Sequence, residues 1–142
     1  MGLDTFATGL SEEDNFHGSY SIYSSFIEAL IGNLYGEKCR EIRHRAICDG
    51  FYNGVYIGPL TEEDLEIWNL HCNDDLNLLI FHPDDGGKFT PDECRRVYRA
   101  IKDVQFDLDE NTYYGKTMNE ILRKFKKIFK HCRDRRVNLY YG

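Results

Sequence analysis

The chain has 142 residues and a formal net charge of −6, and 42% of its residues are hydrophobic. This composition is typical of a soluble globular protein, and the length suits a single domain over residues 1–142. No apolar run approaches the ~20 residues of a membrane helix, and the first residues lack the basic and apolar regions of a secretory signal. We therefore expect a cytoplasmic protein with no membrane partner.

The N-terminal half of the sequence predicts a strand, one or two helices and a hairpin. Residues 2–8 suit a short strand. Ser19, Ser21 and Ser24 are candidate N-caps for a helix through Tyr35, which Gly36 ends. The segment 37–48 suits a short helix or an irregular excursion. An Asn-Gly pair between aromatic and β-branched residues predicts a β-hairpin around residues 50–58.

The middle of the chain predicts a capped helix followed by a strand. Thr61 begins a capping box, with Asp64 in place of the usual Glu or Gln. Leu65, Trp68 and Cys72 are expected to face inward. The apolar run Leu76–Phe81 has the length of a buried strand.

Two further helices and a final strand are expected in the C-terminal part. Thr90, Pro91 and Glu93 form a strong helix start, and Thr117 is expected to open a last, long helix. Residues 137–141 suit a strand. Helices and strands do not alternate regularly, so the sequence predicts an α+β domain: a small, mostly antiparallel sheet covered by three to four amphipathic helices.

Positive charge is concentrated near the C-terminus. Residues 116–136 carry nine of the 18 Lys and Arg residues and two acids, which leaves the rest of the chain strongly acidic. An acidic body argues against nucleic acid as a partner, because phosphate contacts are made by concentrated basic surfaces. The basic segment either meets an anionic partner or lies near the protein's own acids, and we favour the second alternative.

The segment from His82 to Glu93 resembles the second half of a calcium loop that leads into a helix. Oxygen ligands fit at its third, ninth and twelfth positions, which are Asp84, Thr90 and Glu93. His82 and Gly86 stand where a calcium loop needs oxygen ligands at its first and fifth positions. The segment is therefore either a calcium site or a tight Gly-Gly turn with a helix cap, and we favour the turn.

Catalytic motifs are absent from the sequence. It has no Gly-x-Ser-x-Gly, no His-Glu-x-x-His and no phosphate-binding glycine-rich loop. His17 and His82 are the candidates for a general base, although a lone His in a polar loop is usually a surface residue. The five cysteines lie far apart without a Cys-x-x-Cys pair, which predicts buried reduced thiols. We expect a protein without enzymatic activity and without a cofactor.

A small-ligand site is the main alternative to a protein-binding role. The segment Gly18–Tyr23 lies where a loop meets a helix N-terminus, whose amides suit an anion, and its tyrosines suit stacking on a base. With the His82 loop, the candidate ligand-binding residues are Ser19, Tyr20, Ser21, Tyr23, His82, Asp84, Asp85 and Lys88. The same residues also suit caps and core aromatics.

Four features are similar to a group of small bacterial and phage proteins. Three are Met-Gly-Leu-Asp at Met1–Asp4, Gly-Ser-Tyr-Ser-Ile-Tyr at Gly18–Tyr23, and the loop and helix start from His82 to Cys94. The fourth is a closing apolar strand, Leu139–Tyr141, after a helix that contains Cys132. The group carries an Asp-x-Asp-Gly-like loop before Ser/Thr-Pro-Glu-Glu-Cys, and the chain departs from it at Gly86, where the group has the loop's second Asp. Members of this group are largely uncharacterised, so the resemblance implies a phage or bacterial origin more than an activity.

The leading hypothesis is a non-enzymatic binding protein that blocks a host defence component through protein–protein contact. The chain has ten Tyr residues, which are favoured in interface hot spots, and an acidic body steers association toward a basic target. The alternative is a protein that binds or sequesters a nucleotide-like signal. A calcium-loop module is the third hypothesis.

Overall fold

The computed structural model describes residues 2–142, which form six α-helices, a four-stranded antiparallel sheet and a separate two-stranded hairpin. This architecture confirms the α+β class with a small antiparallel sheet. The residues group into two compact units, residues 2–26 with 74–142 and residues 27–73. None of the helices in the described range is long and apolar enough to cross a membrane.

The main sheet joins strands from the two ends of the chain. Its strands are β1 (Gly2–Phe6), β2 (His17–Ser19), β5 (Lys88–Phe89) and β6 (Leu139–Tyr141), in the order β2-β1-β6-β5. Leu3 lies opposite Gly18, and Phe89 lies opposite Leu139. Leu3, Phe89 and Leu139 are fully buried, so the alternation of side chains turns one face of the sheet toward the core.

Three helices of the first unit, α4 (Asp74–Ile80), α5 (Pro91–Ile101) and α6 (Tyr113–Arg135), pack against each other in sequence order. The inner stripe predicted for the last helix is buried, and it consists of Ile121, Leu122, Phe125, Ile128, Phe129 and Cys132. Burying a side chain of this size contributes about 1.5–3 kcal/mol relative to leaving it in water. The amphipathic pattern therefore fixes which face of α6 lies on the core.

The segment Leu76–Phe81 was wrongly predicted as a strand, since it lies largely in helix α4. Leu76, Leu79 and Ile80 are the buried residues, and this spacing is that of one helix face. Asp75 adds negative charge in the first turn, where the helix dipole favours it. A short apolar run does not distinguish a buried helix from a buried strand.

Helix α6 begins four residues before the predicted Thr117. The hydroxyl oxygen of Thr112 accepts a hydrogen bond from the Gly115 amide at 3.0 Å and donates one to the Asp109 carbonyl at 2.7 Å. A Cβ atom at Gly115 would overlap the Asp109 carbonyl, so this close turn requires glycine. The helix therefore begins after Thr112, which was not among the predicted caps, and not at Thr117.

The second unit contains α2 (Glu37–Ile47), β3 (Phe51–Tyr52), β4 (Val55–Tyr56) and α3 (Glu62–His71), and α1 (Tyr20–Leu34) ends in it. The predicted hairpin is confirmed, because Asn53 and Gly54 have φ of 52° and 77°, as a type I′ turn requires. The capping box at Thr61 is also confirmed.

The prediction that Leu65 faces inward is wrong. Its side chain is 51% exposed, whereas Trp68 is buried. The inner face of α3 is formed by Asp64 and Trp68, which lie four residues apart on one side of the helix. Because Asp64 is turned inward by an ion pair with Arg45 at 3.1 Å, Leu65 lies about 100° around the helix and meets solvent.

Candidate functional site

His82 closes the loop that follows α4. Its Nδ1 atom lies 2.8 Å from the Pro83 carbonyl oxygen and its Nε2 atom lies 3.1 Å from the Lys88 carbonyl oxygen. Its ring stacks on Phe89 at 4.0 Å between centroids. Both ring nitrogens therefore contact backbone acceptors, which gives this imidazole a role in holding the loop together.

Two of the three predicted calcium ligands are partners in a helix cap. The Glu93 carboxylate accepts a hydrogen bond from the Thr90 amide at 2.9 Å, and the Thr90 hydroxyl accepts one from the Glu93 amide at 3.2 Å. Asp84, the third, lies in the loop before β5. Within residues 2–142, no three or more His, Cys, Asp or Glu side chains are grouped in a way that suits a metal ion.

The predicted anion-binding segment forms the start of α1. The Ser19 hydroxyl oxygen accepts a hydrogen bond from the Ile22 amide at 3.1 Å and lies 3.4 Å from the Ser21 hydroxyl. Tyr20 is half-buried. Tyr23 is buried in the core, so its ring offers no face on which a base can stack.

Tyr141 brings the two predicted loops together. The Tyr23 and Tyr141 hydroxyls lie 2.8 Å apart, and the His82 ring meets the Tyr141 ring edge-on at 4.9 Å. Burial raises the pKa of Tyr141 well above its ordinary value, and its contact with Tyr23 adds to the shift. Sequence patterns predict Tyr141 at the end of a strand but not these contacts, because they join positions 23 and 141, far apart along the chain.

A cavity of about 400 Å³ lies beside β1 and β2. It is lined by Asp4, Thr5, Phe6, Leu10, Glu12, Asn15 and His17. His17 Nδ1 lies 2.8 Å from an Asp4 carboxylate oxygen, and its Nε2 lies 3.1 Å from the Glu12 carbonyl. The hydrogen bond with Asp4 raises the pKa of His17. Both ring nitrogens of His17 therefore contact acceptors within the chain.

A second cavity of about 280 Å³ is bordered by α6 and the segment before it. It is lined by Val104, Gln105, Phe106, Leu108, Glu110, Asn119, Leu122, Arg123 and Lys126. Its two cations have local partners: Lys126 donates to the Val104 carbonyl at 2.6 Å, and Arg123 lies 3.6 Å from Glu110. Neither this cavity nor the first is lined by the predicted ligand-binding residues.

The basic face of α6 makes contacts with its own unit. Lys127 forms an ion pair with Asp14 at 2.7 Å, and the Arg133 guanidinium lies 4.6 Å above the Tyr98 ring. The Lys127 hydrogen bond lowers the pKa of Asp14. These contacts support the view that part of this charge lies near the protein's own acids and aromatic rings.

All five cysteines are free thiols. Cys39, Cys94 and Cys132 are buried, while Cys48 and Cys72 are partly exposed. Burial raises the pKa of Cys39, and a raised pKa reduces the thiolate fraction that a nucleophile needs.

The largest concentration of exposed apolar side chains lies on and beside the hairpin of the second unit. Within eleven residues, five large side chains are 45–62% exposed: Ile47, Phe51, Val55, Tyr56 and Ile57. We call these five residues the hairpin surface. The Phe51 and Tyr56 rings pack on each other at 5.2 Å, so the aromatic part of this surface is ordered internally.

Arg45 fixes the base of the hairpin. Its guanidinium donates to the Gly58 carbonyl at 3.1 and 3.2 Å and to the Pro59 carbonyl at 2.7 Å, and it forms an ion pair with Asp64. Asp64 in turn accepts a hydrogen bond from the Thr61 amide, which is the main cause of its lowered pKa. The hairpin and the start of α3 are therefore joined by one buried cation.

Comparison with known proteins finds no matching family model, no similar curated protein and no similar solved structure.

Proposed function

We propose that the protein is a non-enzymatic binding protein that holds a partner protein on the hairpin surface. The observation that carries this proposal is the group of five large apolar side chains, each 45–62% exposed, between Ile47 and Ile57. Single exposed apolar residues are normal, whereas five within eleven residues, with the Phe51 and Tyr56 rings in contact, support an interaction site. Aromatic residues such as Phe51 and Tyr56 are enriched in such interfaces.

The hairpin surface has contacts at both of its ends that favour one conformation. The type I′ turn at Asn53-Gly54 sets the strand pairing, and the buried Arg45 joins the hairpin to α3. A preorganised surface loses less conformational entropy on binding. These features support a specific contact surface over a flexible loop.

Other residues considered from the sequence favour binding over catalysis. Both nitrogens of His17 and of His82 contact hydrogen-bond acceptors within the chain, which disfavours a general-base role. The buried ring of Tyr23 disfavours the small-ligand alternative. The resemblance to phage and bacterial proteins adds the expectation that the partner belongs to a bacterial host. Blocking a host defence component is the form of this role that we propose.

The test compares two variants of the tagged chain as bait in a bacterial lysate. The first, Phe51→Ser/Tyr56→Ser, removes the aromatic part of the hairpin surface. The control, Tyr113→Ser/Tyr114→Ser, removes two exposed aromatic rings from the first unit. Any protein retained by the wild type is identified, purified and titrated by calorimetry.

We expect the hairpin variant to bind the purified partner at least about tenfold more weakly, since a hot-spot aromatic contributes more than ~1 kcal/mol. The control variant is expected to bind like the wild type. Equal affinity of the hairpin variant and the wild type, or failure of every lysate to yield a direct partner, contradicts the proposal.

A further inference from the structure

Strand β4 has an open backbone edge. The Ile57 amide donates to the Gly50 carbonyl at 2.8 Å, while the Gly50 amide donates to the Arg45 carbonyl. Gly50 and Ile57 are therefore a hydrogen-bonded pair of the ladder that is closed by one of its two bonds. Such pairs alternate with non-hydrogen-bonded pairs in an antiparallel ladder, so Phe51 and Tyr56 form a non-hydrogen-bonded pair. The amide and carbonyl of Tyr56 therefore point away from β3. Among the described residues, β4 pairs with no strand other than β3.

Both faces of β4 meet solvent. Val55 and Tyr56 are neighbours in the strand, so their side chains point to opposite faces, and both are exposed. Natural edge strands are usually protected by lysine, proline or a covering element. Neither residue of β4 is a Lys or a Pro. This edge thus offers backbone pairing and apolar contact to an incoming strand.

The charges of the second unit are unbalanced. Residues 27–73 contain eight Asp and Glu against four Lys and Arg, which leaves a formal charge of −4. All four basic side chains form ion pairs inside this unit: Lys38 with Glu41 and Asp64, Arg40 with Glu37, Arg43 with Glu28, and Arg45 with Asp64. The excess charge therefore belongs to acids that have no cation beside them.

Those uncompensated acids flank the hairpin. Asp49 stands two residues before β3 and is exposed. Glu62 and Glu63 are exposed in the first turn of α3, which Arg45 holds at the base of the hairpin through Asp64 and the Gly58 carbonyl. In the described part of the chain, none of these three acids forms an ion pair, and the same holds for Glu66.

We propose that the hairpin surface binds an extended, positively charged segment of a partner protein, which adds to β4 as a further strand. This inference rests on the proposed function and specifies the chemistry of the partner. Backbone pairing along Tyr56 supplies affinity, as in other cases of strand addition. Apolar side chains of the bound segment contact the hairpin surface, and its cationic side chains, which alternate with them, contact the flanking acids. A second copy of the chain brings the same acids to the contact, and like charges disfavour its docking.

The probe is a synthetic peptide of alternating Lys and Val, capped at both ends, with seven residues chosen to exceed the length of β4. Its matched controls are the Glu/Val peptide of equal length and the Lys/Val peptide methylated on alternate backbone nitrogens, which blocks strand pairing. Binding to the full chain is followed by amide chemical shifts in NMR at low salt. We expect the Lys/Val peptide to shift the amides of Val55 and Tyr56, and both controls to leave them unchanged.

Two charge variants separate the flanking acids from net charge in general. The first variant, Asp49→Asn/Glu62→Gln/Glu63→Gln, neutralises the flanking acids. The second variant, Glu12→Gln/Glu13→Gln/Asp103→Asn, neutralises three exposed acids of the first unit. We expect the first to weaken peptide binding about tenfold, from three exposed charge contacts, and the second to leave it near the wild-type value.

Several results overturn the inference, and they are distinct from failure of the proposed function. Equal binding of the Lys/Val and Glu/Val peptides, binding of the methylated peptide, or no binding of the Lys/Val peptide each overturns strand addition by a cationic segment. A dimer in sedimentation that is lost in Phe51→Ser/Tyr56→Ser makes a second copy the occupant and also overturns it. If binding of a purified partner requires Phe51 and Tyr56 but is unchanged in Asp49→Asn/Glu62→Gln/Glu63→Gln, the proposed function stands and the cationic-segment inference does not.

Discussion

Replacing Arg45 by Met tests how the hairpin is held. Arg45 and Asp64 are each 5% exposed, so the substitution leaves a buried carboxylate without its closest cation. It also removes every described hydrogen bond to the Gly58 carbonyl and one to the Pro59 carbonyl. Met keeps much of the aliphatic volume, so the change isolates the polar contacts from packing.

The magnitude follows from what remains around Asp64. Removing one partner of a buried ion pair costs about 3–5 kcal/mol. Asp64 keeps its hydrogen bond from the Thr61 amide at 3.0 Å and lies 3.6 Å from Lys38. We therefore expect the lower end, about 3 kcal/mol, which shifts a urea midpoint by ~1–3 M for slopes of ~1–3 kcal/mol per M.

The pH dependence has a defined sign. The folded-state pKa of Asp64 lies below its ordinary value of 3.8, so its contribution to stability is present above that pH. As the pH falls from 3.8 through this lowered folded-state pKa, the carboxyl becomes protonated and the difference in stability between wild type and Arg45→Met is expected to shrink.

The assay is urea unfolding followed by the fluorescence of Trp68, the only tryptophan of the chain, which lies in the same unit. Arg40→Met is the control, because Arg40 and Glu37 form a partly exposed pair at 3.8 Å worth about 0–1 kcal/mol. The reasoning is refuted if Arg45→Met costs no more than Arg40→Met. Adding Asp64→Asn to Arg45→Met is expected to restore part of the loss, since the buried charge is then removed.

Three further predictions concern the first unit. Thr90→Ala is expected to lower the free energy of unfolding by about 1 kcal/mol in urea unfolding, whereas Thr90→Ser retains the cap. Added calcium should leave the melting temperature of the wild type unchanged, because the Glu93 carboxylate already accepts a hydrogen bond from the Thr90 amide. A rise in melting temperature with calcium would contradict the assignment of Thr90 and Glu93 to a helix cap. Asp4→Asn is expected to lower the pKa of His17 in an NMR titration, since the Asp4 hydrogen bond raises it, and an unchanged pKa would show that the pair is absent in solution. The phenol of buried Tyr141 resists ionisation only in the folded state, so the wild type should lose stability as the pH rises above about 10, the ordinary tyrosine pKa. Tyr141→Phe should lose less stability over the same pH range. Parallel profiles of unfolding free energy against pH would count against this.

Sequence patterns predicted the features that depend on a few neighbouring residues. The capping boxes at Thr61 and Thr90 and the hairpin at Asn53-Gly54 are such features, since each needs only a side chain and a backbone group a few positions away. The helical segment Leu76–Phe81 was missed because a short apolar run fits either structure, and packing against α5 selects the helix.

The candidate site depends on contacts that local patterns do not carry. Alternation in a hairpin usually implies one buried face, so the exposure of both Val55 and Tyr56 is not predictable from the local pattern. The role of Arg45 was equally hidden, because its partners lie 13 to 19 positions away along the chain. The convergence on Tyr141 joins opposite ends of the sequence.

The most direct test of the central claim is site-specific photo-crosslinking of a partner to the hairpin surface. A benzophenone amino acid is placed at Tyr56 in one protein and at Tyr113, an exposed aromatic position of the first unit, in another. Both proteins are irradiated with the purified partner, with and without excess unlabelled wild type. A crosslink at position 56 that the wild type competes away, and none at 113, is the predicted result. Equal crosslinking at both positions, or crosslinking at 113 alone, would contradict a role for the hairpin surface.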